Sequence, residues 1–227
     1  MTLGPGRLIL AIDTATRVSL VVLGDDRAAT TSRREVQHRH GSHLLEQIDE
    51  VLDRAAVSLD DVAALAVGTG PGSFTGLRVG LATAKTMAYA RRVPLVGVMS
   101  SLALRRAAVA AGAPEGIAVV LPAGARDHYL ARPGADVQLV APGDLLEAIG
   151  REAVLTVDTQ PDLLGAEAAR IGAAALDDMG EALLSIARER LQTVGGDDVA
   201  SLVPAYVALP RGVRQAAEDL GWSPDLR

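Results

Sequence analysis

Two stretches of this chain carry residue types that can do chemistry. The first is Asp13-Thr14-Ala15-Thr16, at the end of the apolar run Leu8 to Ile12. From such a turn a carboxylate and a hydroxyl can hold a phosphate or its metal ion. Asp and Thr also favour turns by bonding their own backbone, and that reading stands beside the first. The second stretch is Gly68-Thr69-Gly70-Pro71-Gly72-Ser73, between the apolar run Val62 to Val67 and a segment of helical spacing, Phe74 to Ala90. A strand, a glycine loop and a helix start aim free N–H groups at an anion. The loop lacks the Lys-Ser/Thr pair of a Walker A motif, and Ser73 stands where GxGxxG has its third glycine. Asp13, Thr14, Gly70 and Gly72 are therefore candidate phosphate ligands, with a tight, ligand-free turn as the alternative. His38, His40 and His43 form a third cluster. Only His40 and His43 have a spacing that one helical face can use, and no carboxylate or cysteine cluster joins them. A solvated helix entry accounts for them better than a metal. Sequence places no Ser-His-Asp set, nucleophile elbow or paired acid–base carboxylates.

The elements that must position these residues can be read from periodicity. Leu8 to Ile12, Val18 to Leu23 and Ala28 to Ser32 read as an antiparallel meander, turning at Gly24-Asp25-Asp26. Leu44, Leu45, Ile48, Val51, Leu52 and Ala55 make one helical stripe, with Ser42 as candidate N-cap. Ser58 to Asp61 resembles a small capping box ahead of the central strand. In the following helix Gly72, Gly76, Gly80, Ala84 and Ala88 recur every four residues and share one face. Each mid-helix glycine costs roughly 1 kcal/mol against alanine, so close approach of another backbone must offset Gly76 and Gly80. That backbone belongs either to this chain's own sheet or to another subunit. Val93 to Val98 reads as a further strand, and Ser100 or Ser101 can cap a helix running to Ala111. The first half is thus β-β-β-α-β-α-β-α.

After the break at Gly112 to Gly116, the pattern predicts strands at Ile117 to Leu121, Tyr129 to Arg132, Val137 to Val140 and Ala153 to Val157. A small helix opens at Pro142 and runs to Ile149. Leu163 to Ala175 is helical or loose, and Met179 to Leu191 is a second amphipathic helix. Val194 to Val199 is a loop, and Val203 to Val207 is a short extended piece.

Composition narrows the classes. The 227 residues suffice for one large domain or two small lobes. With 49% hydrophobic but 2% aromatic residues, the core must rest on Ala, Val, Leu and Ile. Cysteine is absent, which excludes disulfides and thiolate metal sites and fits the cytoplasm. No run of apolar residues is long enough to span a membrane. The N-terminus leads straight into a strand, and a signal peptide is not expected. The net charge of −6 argues against gripping nucleic acid over a broad surface, while leaving action on RNA inside a complex open.

The element order, the DTAT turn and the GTGPGSFTGLRVGLATAKTMA stretch together resemble the TsaB (YeaZ) family of the actin/Hsp70/sugar-kinase-like (ASKHA) superfamily. The resemblance covers Leu8 to about Ala108. It extends to His40-Gly41-Ser42-His43-Leu44-Leu45-Glu46-Gln47-Ile48, to Pro94 to Leu104, and to Pro204-Ala205-Tyr206. It implies an α/β fold of two lobes, each a mixed sheet with helices. The N-terminal lobe is 1–111, the reduced C-terminal lobe 112–202, and the segment from about 203 to 227 packs back on the first. It also implies an accessory, non-catalytic subunit for N6-threonylcarbamoyladenosine (t6A) at position 37 of tRNA, activating a TsaD-type transferase alongside a TsaE-type ATPase. The chain alone is expected to be a homodimer. No tightly bound cofactor is expected, with ATP bound inside the complex. The transferase carries metal histidines in a Val-Asn-His-x-x-x-His segment, and the matching positions here are Ser100 and Leu104. Neither can replace an imidazole on iron or zinc. The same loss argues against the metalloprotease (peptidase M22-like) label borne by relatives. The implied partner surface is the first two helices: Leu44, Leu45, Ile48, Leu52, Gly76, Leu77, Gly80, Leu81 and Ala84. The family often has an Asp-Ala-Arg piece where this chain has Pro122-Ala123-Gly124 before Tyr129. The alternative is a stand-alone ATP-binding phosphotransferase-like enzyme, using Asp13, Thr14, Gly70 and Gly72 with Gly195-Gly196-Asp197 as its thin second glycine loop.

Overall fold

A computed structural model describes residues 4, 6–35, 40–159, 161–205 and 207. Strands β1 (Leu8–Asp13), β2 (Val18–Gly24) and β3 (Ala29–Glu35) form the expected meander. Helix α1 (His40–Arg54), strand β4 (Val62–Gly70), helix α2 (Phe74–Arg91), strand β5 (Leu95–Met99) and helix α3 (Ser100–Ala110) follow. The first sheet has the order β3-β2-β1-β4-β5, with β4 parallel to β1 and β5 parallel to β4. The second half supplies β6 (Ala118–Ala123), β7 (Asp127–Ala131), β8 (Gln138–Val140), α4 (Leu145–Ile149), β9 (Val154–Thr156) and α5 (Pro161–Thr193). Its sheet has the order β8-β7-β6-β9, with β9 parallel to β6. A meander whose first strand then takes a parallel neighbour therefore occurs twice in the chain. This doubled arrangement is the two-sheet ASKHA architecture that the resemblance implied.

Apolar faces stack the layers. Leu10 and Ile12 of β1 join Leu44, Ile48, Val51, Leu52, Leu81 and Ala84 on the α1/α2 side. Ile9 and Ala11, on the opposite face of the strand, pack with α3 and α5. Because successive strand residues point to opposite faces, a strand covered on both sides must be apolar on both, as β1 is from Leu8 to Ile12. Val119, Leu121 and Leu155 of the second sheet enter the same α3/α5 layer. Ala118, Val120 and Leu130 face α4 on the far side. The two helices expected at Leu163 to Ala175 and Met179 to Leu191 are one element, α5, with a non-helical Gly165 (φ 83°) near its start. It continues through Asp177-Asp178 because both are exposed there, while Ala175, Met179, Leu183 and Ala187 keep one buried face. Strand β4 runs three residues past the predicted Val67, because Gly68 and Gly70 still pair with Val98 and Met99 of β5.

Candidate functional site

The carboxyl ends of β1, β4 and β5 meet where an open parallel sheet offers a ligand crevice. Asp13, Thr14, Gly70 and Gly72 are brought together there, but they bind one another's segments. The Asp13 carboxylate is buried; Oδ1 accepts the Ala15 N–H at 2.9 Å and Oδ2 the Ser100 hydroxyl at 2.6 Å. The Ser100 hydroxyl in turn accepts the Gly70 N–H at 3.1 Å. Burial raises the Asp13 pKa to about 6, against the smaller opposing pull of those two hydrogen bonds. The Thr14 hydroxyl donates to Gly76 O at 2.7 Å. At the start of α2, the Ser73 N–H donates to Ala15 O at 2.7 Å, and Ser73 Oγ caps the helix by accepting the Gly76 N–H at 3.2 Å.

The Gly70 and Ser73 N–H groups, two of the donors this loop could offer a phosphate, are thus taken by Ser100 Oγ and Ala15 O. Sequence left the cap of α3 to Ser100 or Ser101. The structure makes Met99 the N-cap residue, without a side-chain bond, and Ser100 ties three strand ends together instead. No local pattern could have paired Asp13 with a serine 87 residues away.

Eight of the nine residues expected at a partner surface are buried within the chain. A Cβ on Gly72 would lie 2.2 Å from Ala15 O, on Gly76 2.1 Å from Thr14 O, and on Gly80 2.3 Å from Thr14 Oγ1. The small-residue strip therefore serves close approach to this chain's own β1–β2 turn. Leu44, Ile48, Leu52, Leu77, Leu81 and Ala84 are likewise buried within the chain. Of the residues expected at a partner surface, Leu45 is free, at 62% exposure. The exposed face of α2 carries Thr75, Arg78, Ala82, Thr86 and Tyr89, with Arg78 lying 4.6 Å over the Phe74 ring. His43 pairs with Glu46 at 3.3 Å. His38 and Tyr206 lie outside the described residues, as do the side chains of His40 and Ser42. Leu104, one of the two positions matched to transferase histidines, lies fully buried in the α3/α5 layer.

Residues 30–177 of the chain match the family described as TsaD: tRNA N6-adenosine threonylcarbamoyltransferase. The chain belongs to this family. It is similar to the tRNA threonylcarbamoyladenosine biosynthesis protein TsaB of Escherichia coli, at 36% identity over 100 residues, 44% of this chain and 43% of that protein. Its similarity to TsaB of Haemophilus influenzae is 32% over 124 residues, 55% of this chain and 52% of that protein. The match thus spans about half the length of these TsaB proteins. YeaZ from Pseudomonas aeruginosa has the same fold, with a TM-score of 0.70 at 23% identity, covering 91% of this chain and 100% of that one. The TsaB (YeaZ) resemblance read from the sequence is borne out by these matches. Among the described residues, no helix of this TsaB-like chain is long and apolar enough to cross a membrane.

Proposed function

We propose that this TsaB-like chain acts in tRNA t6A biosynthesis as a non-catalytic subunit that binds and activates a TsaD-type transferase. The observation that carries this is the fate of the two positions matched to transferase metal ligands. Ser100 spends its hydroxyl on Asp13 and Gly70, and Leu104 is packed in an apolar layer. The engaged donors of the glycine loop support the same reading against the ATP-enzyme alternative. ATP, the TsaE-type ATPase and tRNA then meet the chain within the complex.

Docking uses the outward face of α1 and α2: Leu45, then Arg78, Ala82 and Tyr89. Large apolar side chains this exposed are good anchors for a partner, and Tyr89 is 84% exposed. A homodimer formed through the same face would compete with the transferase. Leu45→Asp combined with Tyr89→Asp is expected to weaken binding to the transferase about tenfold or more in a calorimetric titration, with an unchanged circular dichroism melt. Full affinity in this variant would move the docking face elsewhere.

A further inference from the structure

Beyond that role, we propose that residues 194–205 form a releasable strap over the edge of the first sheet, and that Lys85 is its pin. Strand β5 ends the sheet, and an edge strand leaves N–H and C=O groups without partners. Here Asp197 stands in for the missing strand. Its N–H donates to Leu95 O at 2.8 Å, and its carboxylate accepts the Gly97 N–H at 2.7 Å and Arg190 Nη2 at 2.8 Å. Arg190 also bonds Gly97 O. A single helical turn follows, closed by the Leu202 N–H on Asp198 O at 3.0 Å. Asp198 accepts the Ala200 N–H at the start of this turn, at 3.1 Å. Lys85, reaching over from α2, donates to Ala200 O at 3.1 Å and Leu202 O at 3.0 Å at its end. A cation there satisfies carbonyls that the turn itself leaves free. The strap finishes with the Ala205 N–H on Thr69 O at 2.8 Å.

Most of these ties are polar; the apolar anchoring comes from Val199 and Leu202, partly buried against the α1/α2 layer, and from buried Pro204. Leu202 covers Gly97, where a Cβ would come within 2.8 Å of it, but Val203 is exposed. An open cavity of about 650 Å³ lies beside the strap, walled by Val98, Met99, Leu102, Ile186 and Arg190. A segment held by few buried apolar contacts opens at low free energy. Lys85 is the chain's single lysine. Removing the ammonium leaves both carbonyls of the turn without their cation. The strap then lifts, uncovering the β5 edge and widening the open cavity beside it, so acylation of this one side-chain amine would act as a switch.

Hydrogen exchange on the full chain tests this with two perturbations. One is Lys85→Met. The other is the folded wild type acetylated with N-hydroxysuccinimidyl acetate: the amine displaces N-hydroxysuccinimide, and a neutral amide replaces the ammonium. Lys85→Arg treated identically controls for reaction at the N-terminus. The amides of Gly97, Asp197 and Leu202 are expected to exchange about tenfold faster or more in both, with β1 and β4 unchanged. Unchanged protection of Gly97 and Leu202 in both would overturn the proposal. So would acceleration spread equally over β1 and β4 in both, because the effect would then be global unfolding.

Discussion

Gly76→Ala is expected to destabilise the chain by about 3 kcal/mol, although alanine is the better helix former. By propensity alone the substitution would gain roughly 1 kcal/mol. The added methyl, however, would stand 2.1 Å from the carbonyl oxygen of Thr14, and both groups are fixed to backbone. Helix α2 would have to withdraw from the β1–β2 turn. That would stretch the Thr14 hydroxyl's bond to Gly76 O and open the α1/α2 layer, an overpacking cost that reaches about 3 kcal/mol. Gly80→Ala should be milder, because its methyl meets the Thr14 side-chain hydroxyl, which can rotate away. Gly80→Leu is too large for that escape. Any loss of partner binding it causes would come through misfolding of the first sheet's helix layer, not through a surface contact. Urea unfolding of the Gly76 and Gly80 alanine variants gives the order directly. A Gly76→Ala protein as stable as wild type would mean that α2 does not lie against the turn.

Asp13→Asn is expected to gain on the wild type as pH rises. The folded-state pKa of Asp13 is raised from 3.8 to about 6, because burial disfavours the charged carboxylate. The folded state therefore holds its proton more tightly than the unfolded chain. This site's contribution is fully present below about pH 4, fades as pH rises through about 6, and is flat above. Two pKa units correspond to about 3 kcal/mol in all, of which about 2 kcal/mol falls between pH 4.5 and 7.5. Asparagine has no charge to desolvate there. Its amide oxygen can keep the Ala15 N–H, and its amide nitrogen can meet Ser100. The stability gap between the two proteins should thus shift by about 2 kcal/mol toward the variant over that pH range. Parallel pH profiles would show that Asp13 is not the titrating group.

Much of the first half was legible because its signals are local. The alternating runs of β1 and β2, the Leu44/Ile48/Leu52 stripe and the glycine loop each specify an element within about ten residues. What the glycine strip packs against was not legible. Spacing says that something comes close along the glycine strip, and only the fold says that it is Ala15 O at Gly72, Thr14 O at Gly76 and the Thr14 hydroxyl at Gly80. Ser100 was hidden for the same reason, since its partners Asp13 and Gly70 come from other strands. In the second half, weak alternation in β7 and β8 concealed a repeat of the first sheet's strand order, which exists in topology and not in residue types. The pattern ends one helix at Ala175 and begins another at Met179, whereas α5 runs through, with Asp177 and Asp178 on its exposed face.

The central claim, a non-catalytic subunit needed by the transferase, is tested most directly by reconstitution. The cognate TsaD- and TsaE-type proteins, with the TsaC-type protein that acts upstream of them, would be combined with ATP, threonine, bicarbonate and unmodified tRNA. Each reaction would be run with the chain, without it, and with the chain in place of the transferase. Modified adenosine is predicted only when the chain and the transferase are both present. Equal product without the chain, or any product from the chain in place of the transferase, would contradict the account.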